Sequence, residues 1–293
     1  MAADRKIICI NEDGVEVEFS YDENAPFFLE SVDGVMQVNN KVTTSENTTV
    51  DGSTYQGSTT KQRNILITAH ISQRHVYYRN TLYKCFKPKS AGQLTYKEED
   101  EVRLIDYVVE SVDIDDSGVV RNATISLICP EPFFKDEEDT VVTMAGWQNL
   151  FQFPHEFLPE KEAFGERVAE IIKEIDNDSA ADHIGIEIII EAMGAVTNPA
   201  IYHTEQQEYI KIGTDNNPLS IFRGEKIRIT TGTNEKAVYL IRGSTETEIN
   251  EYLDEGSDFI QLVHGKNTFT YAAAEGRDYM NVSIIYRLRY LGV

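Results

Sequence analysis

The stretch Lys226-Ile-Arg-Ile-Thr230-Thr-Gly-Thr-Asn-Glu-Lys236-Ala-Val-Tyr-Leu-Ile241 sets the fold class of the chain. Isoleucines alternate with polar residues over 226–230, and apolar residues crowd 237–241. A glycine-containing polar turn at Gly232 separates the two. Period-two patterning on one side of a turn signal and a short apolar run on the other specify a pair of strands. The pattern recurs at 186–190, 209–212, 259–263, 268–272 and 282–289, with turns at Gly213, Gly243, Gly256, Gly265 and Gly276. Many short strands with regular turns predict a β-sandwich for the second half.

The first half reads the same way. Segments 6–10 and 15–19 flank Asn11-Glu12-Asp13-Gly14, a hairpin signal. Strands are also expected at 27–29, 35–38, 65–71, 103–112 and 119–129. One helix interrupts them at 74–86, where Tyr78, Leu82, Cys85 and Phe86 share one apolar face and Pro88 and Gly92 stop it. Residues 39–60 are rich in Thr, Ser, Asn and Gly. They cannot build a core and read as a long loop or extended β-arm. Residues 163–175 are ambiguous between helix and bent strand.

Bulk properties narrow the function. With 293 residues the chain has length for two domains, and its 41% hydrophobic content is too high for disorder. The boundary is placed after residue 134, with a linker or crossing segment over 135–162 and the second domain over 163–293. The net charge of −22 disfavours nucleic-acid reading, because such a surface repels phosphates. The run Ile7 to Ile10 is too short for a signal peptide, and no stretch is long enough to span a bilayer, so neither export by that route nor membrane insertion is expected. Cys9, Cys85 and Cys129 are far apart and odd in number, and read as buried free thiols from a reducing compartment.

No enzymatic constellation stands out. The turn Asp113-x-Asp115-x-Ser117-Gly118 begins like a calcium loop, but Thr124 occupies the position that needs a bidentate carboxylate. His70, His75 and His203 are scattered, and no Cys/His spacing fits a metal. The acidic segments 98–101 and 136–139 read as solvated loops. Trp147, Tyr202 and Tyr239 could face a sugar, which makes carbohydrate attachment through the second-half sandwich the alternative function. A hydrolase would need paired carboxylates or ligands in a cleft, and none can be singled out.

Longer elements carry a family resemblance. The first half has Asp51-Gly52-Ser53-Thr54-Tyr55, then Asn64-Ile65-Leu66-Ile67, and closes with Leu127-Ile128-Cys129-Pro130-Glu131-Pro132-Phe133-Phe134. The second half has Ile190-Glu191-Ala192-Met193-Gly194, Thr197-Asn198-Pro199-Ala200-Ile201, Gly224-Glu225-Lys226-Ile227 and the ending Tyr286-Arg287-Leu288-Arg289-Tyr290-Leu291-Gly292-Val293. In this order the chain resembles the distal tail proteins of long-tailed phages, the siphovirus tail-component family.

The resemblance implies a mainly β protein: an N-terminal split-barrel-like domain with one helix, related to tail-tube proteins, and a C-terminal galectin-like β-sandwich. It favours strand over helix at 163–175. It implies a hexameric ring at the tail tip of a virion, made in the host cytoplasm. The ring would join the tail tube protein to the tip hub and receptor-binding parts, and DNA would pass through without specific binding. No enzyme activity, cofactor or metal is implied. Asp51, Gly52, Ser53 and Tyr55 of the arm are the expected ring-interface residues.

Overall fold

The computed structural model describes residues 5–46, 51–71, 74–115, 121–149, 165–169, 172–179, 181 and 183–293. The chain forms two compact units, Met1–Glu137 with Arg289–Val293, and Glu138–Leu288.

The first unit contains β1 (Lys6–Asn11), β2 (Glu16–Ser20), β3 (Phe27–Asp33), β4 (Asn40–Glu46), β5 (Ser53–Thr60) and β6 (Arg63–Ile71). It continues with α1 (His75–Cys85), β7 (Ala91–Glu98), β8 (Glu101–Asp115), β9 (Arg121–Cys129) and β10 (Phe134–Asp136). Seven strands run in the order β8-β7-β1-β2-β3-β6-β9, and β9 pairs back to β8, which closes a barrel. Closure is possible because β8 has 15 residues. Its first half pairs with β7 and its second half with β9, with a register shift between Val109 and Ser111. Alternation does the packing: in β6, Ile65, Ile67, Ala69 and Ile71 point inward between less buried neighbours.

Helix α1 seals this core with Leu82, Cys85 and the following Phe86, all 0% exposed. Asn11 fixes its end. The Asn11 amide donates to the carbonyls of Lys84 (3.0 Å) and Cys85 (3.2 Å), two of the acceptors a helix end leaves open. Its Oδ1 accepts from the Asp13 and Val15 backbone N–H groups, so one side chain shapes the hairpin turn and anchors the helix.

The second unit contains β11 (Thr140–Asn149), β12 (Gly165–Ala169), β13 (Ile172–Asn177), β14 (His183–Ile184), β15 (Glu187–Ala192), β16 (Val196–His203) and β17 (Glu208–Lys211). It continues with β18 (Ser220–Ile221), β19 (Lys226–Thr230), β20 (Ala237–Arg242), β21 (Thr245–Glu248), β22 (Leu262–Val263), β23 (Gly265–Glu275) and β24 (Met280–Tyr286). One sheet has the order β12-β11-β24-β15-β19-β20-β21. The other runs β13-β23-β16-β17, with β18 on β16. Ile188, Ile190, Ile227, Ile229, Val282 and Ile284 bury one face of the larger sheet, and Ile201, Ile210 and Phe269 belong to the smaller. The chain then returns to the first unit as β25 (Arg289–Tyr290), which pairs with β10.

Several expectations need correction. The segment 135–162 is not a simple crossing: 134–136 is β10, and 140–149 is β11, zipped to β24 over Thr140↔Tyr286 to Ala145↔Val282. Its apolar pair Val141-Val142 suits a strand, and the acidic run before it concealed the signal. Residues 151–162 lie outside the described residues. The second domain does not keep the last five residues, which join the first unit. Residues 35–38 form no strand, and 259–263 narrows to two strand residues. The ambiguous segment 163–175 is strand at 165–169 and from 172 onward, paired with β11 and β23.

Candidate assembly site: the arm and its root

Among the described residues β4 and β5 pair only with each other, from Asn40↔Thr60 at the root to Glu46↔Ser53 near the tip. Their local sequence explains this. Threonine favours extended backbone, and the run lacks the apolar alternation that would attach it to the barrel. No residue of β4 or β5 is buried. Gln56 is an extra residue between the pairs Thr43↔Gly57 and Thr44↔Tyr55. Its amide donates to Ser45 Oγ (2.8 Å), and Tyr55 Oη donates to Ser58 Oγ (2.9 Å). The register puts Val42, Thr44, Tyr55 and Ser58 on one face of the arm. Val42 is 58% exposed and Tyr55 62%.

The four expected interface residues lie in the bend before the returning strand and at its start. Asp51 and Gly52 form the bend before β5, Ser53 begins it, and Tyr55 pairs with Thr44. Gly52 has φ +98°, where a side chain is strained.

The root of the arm is built around Arg63, a residue the sequence reading did not single out. Lys61 N–H donates to Asn39 O (2.8 Å) and closes the hairpin. Two residues on, the Arg63 guanidinium donates to the carbonyls of Gly34 (2.6 Å), Val35 (2.9 Å), Pro132 (2.8 Å) and Leu291. It lies over the Phe134 ring at 4.9 Å, and the residue is 5% exposed. Burial pushes its pKa down from the ordinary arginine value, and carbonyl dipoles rather than a carboxylate stabilise the charge. Gly34 is required here: at φ +88°, a Cβ would stand 1.9 Å from Asn64 O. A cleft of about 400 Å³ opens beside this root, lined in part by Val38, Lys61 and Leu66.

The other candidate residues do not converge. Asp113 and Asp115 lie on β8 opposite Thr124 and Asn122 of β9; residues 116–120 of that turn lie outside the described residues. Tyr202 belongs to the smaller sheet, while Tyr239 and the backbone of Trp147 belong to the larger. Tyr239 lies under the Arg228 guanidinium (4.6 Å), and Tyr202 pairs with Tyr209, ring centroids 5.9 Å apart. His70 Nδ1 meets Asn122 Oδ1 at 2.7 Å, which accounts for it structurally. Among the described residues no cluster of three or more His, Cys, Asp or Glu side chains could hold a metal. The acidic segments are not merely solvated. Glu98 pairs with Arg5 (2.6 Å) and accepts from Tyr96 Oη, and these bonds hold its pKa below the usual carboxylate value. Asp136 pairs with Arg103 (3.1 Å). All three cysteines are free and buried, as the sequence suggests. No helix among the described residues is long and apolar enough to cross a membrane.

Each half matches a phage-tail domain. Residues 17–129 match the phage tail protein RIFT-related domain, and residues 182–290 match the siphovirus-type tail component, C-terminal domain. The chain belongs to the siphovirus-type tail-component family, as a structural component of the virion tail tip. Among solved structures it is similar to the Dit protein of phage SPP1, described as a paradigm of the hub adsorption apparatus in phages infecting Gram-positive hosts. That match has TM-score 0.67 and 15% identity, and covers 97% of this chain and 99% of that one. It is also similar to a chain of the phage P2 baseplate in its activated conformation with calcium, at TM-score 0.54 and 10% identity over the whole of both chains. No curated protein matches the chain.

Proposed function

We propose that six copies of this chain close a ring at the tail tip, with the arm of each copy engaging its neighbour. The ring joins the tail tube to the tip hub and the receptor-binding parts, and DNA passes through its centre. The role is structural and uses no catalytic residue or cofactor. The observation that carries the reading is the arm itself, a two-stranded hairpin that pairs with no strand of its own barrel among the described residues. Isolated two-stranded hairpins are marginal in water, so an arm of this length calls for a partner. Its two open edges offer backbone hydrogen bonds to a neighbour, and a head-to-tail contact of this kind closes when the rotation per copy divides the circle. The net charge of −22 suits a channel for a polyanion, because few phosphates would be neutralised on the way through.

Deleting residues 39–60 tests the reading. The variant should keep the β-rich circular dichroism and thermal midpoint of the parent, yet run as a monomer in native mass spectrometry where the parent gives annular species. Complete rings from the deletion variant would overturn it.

A further inference from the structure

The arm carries its charges in a polarised order. Of the residues in 39–60 only Lys41, Glu46 and Asp51 are charged, and Lys61 follows directly. The register places Lys41 opposite Thr59 at the root and Glu46 opposite Ser53 at the far end. Asp51 lies in the bend before Ser53. The root therefore carries two cations and the outer end two anions. All four residues are exposed, and none has an ion-pair partner among the described residues.

Resting on the arm reading above, we infer that the arms of two copies meet in a slipped arrangement, with the anionic outer end of one against the cationic root of the next. The occupant is a second copy because one arm holds both halves of the complement. The surroundings strengthen the argument. Copies of a chain with net charge −22 repel one another at most approaches, and complementary charge is what selects register between like-charged surfaces. The slip also leaves Val42 and Tyr55, which share one face of the arm, in the zone of arm-to-arm overlap where they would be covered. The contact is heterologous, outer end to root, and each copy uses both ends once. Where the second copy's own outer end meets a third copy, the contact propagates around a ring; two arms laid antiparallel would stop at a pair, and the mass of the assembled species separates the two.

Two charge-reversed full-length chains test this. The first carries Lys41→Glu and Lys61→Glu, the second Glu46→Lys and Asp51→Lys. These side chains are exposed, so both variants should fold with the parent's spectrum and thermal midpoint. Each alone sets like charges against each other at every contact. Its assembly midpoint in native mass spectrometry should rise about tenfold or more. An equimolar mixture of the two restores opposite charges at every junction of an alternating ring and should return the midpoint to within about twofold of the parent. Failure of the mixture to recover, while the 39–60 deletion still abolishes assembly, overturns the slipped contact and leaves the arm reading standing. A deletion variant that assembles, or a parent chain with no self-association, overturns both.

Discussion

Among the described residues Arg63 meets no carboxylate, and its charge is shared among four carbonyls from three separate stretches of chain. Removing it leaves one buried and three part-buried carbonyls without their donor. Arg63→Met should therefore destabilise the first unit by about 1–3 kcal/mol, the cost of leaving a desolvated carbonyl unpaired. Arg63→Lys should recover only part of the loss, because a lysine lacks the planar fork that reaches carbonyls in different directions. Urea unfolding of the full chain measures both, and a lysine variant as stable as the parent would show that charge alone suffices. His203 is the second informative residue. Its side chain is 0% exposed and stacks on Phe269 at 4.8 Å. Burial pushes its pKa below 6.5, and the Glu205 carboxylate at 3.6 Å opposes this only in part. The unfolded chain thus binds a proton more readily than the folded one. Stability is full above about pH 6.5 and falls as the pH drops beneath it. Glu205 adds a separate loss lower down. Burial works against its charged form, but hydrogen bonds from Thr268 hold its pKa below 4.5. Between pH 7.5 and 5.5 the urea midpoint of the parent should fall and that of His203→Phe should stay flatter. Parallel curves would remove the histidine from the account.

Elements with strong local patterning were legible in the sequence, and those held by tertiary pairing were not. The β1–β2 hairpin, β19, β20 and α1 all have apolar residues at the period of their own structure, and each forms where its pattern places it. β7 was missed because only Leu94 and Tyr96 supply its buried face, between polar neighbours. β21 is Thr-Glu-Thr-Glu, fully exposed at a sheet edge. Its charges suit a strand that must not recruit another, but they give no apolar signal. In β16 the Asn198-Pro199 step suggests a break, yet Asn198 accepts φ +50° and its side chain receives the Leu219 N–H (2.9 Å), so the strand continues. The arm was legible from its composition, since a run of Thr and Ser with one valine in β4 can be extended but cannot enter a core. Its polarity was not, because the distance of Lys41 from Glu46 and Asp51 along the hairpin follows from the register. Arg63 was invisible for a related reason: its partners come from residues 34–35, 132 and 291, which no local pattern connects.

On the scale of the whole molecule, the second unit is an insertion between two strands of the first. The chain leaves after Glu137 and returns at Arg289. The return is short but heavily tied. Arg103 lies 3.9 Å over the Tyr290 ring, and Tyr290 Oη donates to Asp136 (3.2 Å). Arg289 pairs with Glu131 (2.6 Å), Leu291 O accepts from Arg63, and Val293 packs on the barrel core. Cutting the chain after Leu288 removes no strand of the second unit. It removes the β10 partner, one acceptor of Arg63 and the apolar cover supplied by Tyr290 and Val293. The loss should amount to about 2–4 kcal/mol from the first unit. Hydrogen exchange on the truncated chain should show faster exchange at residues 34–35 and 134–136, where Arg63 and β25 hold the backbone. Residues 226–242, deep in the larger sheet of the second unit, should keep their protection. Exchange that rises equally in both places would mean that the last five residues support the whole molecule. Exchange that rises in neither would mean that the ion pairs and the arginine–tyrosine contact at β25 contribute nothing measurable to stability.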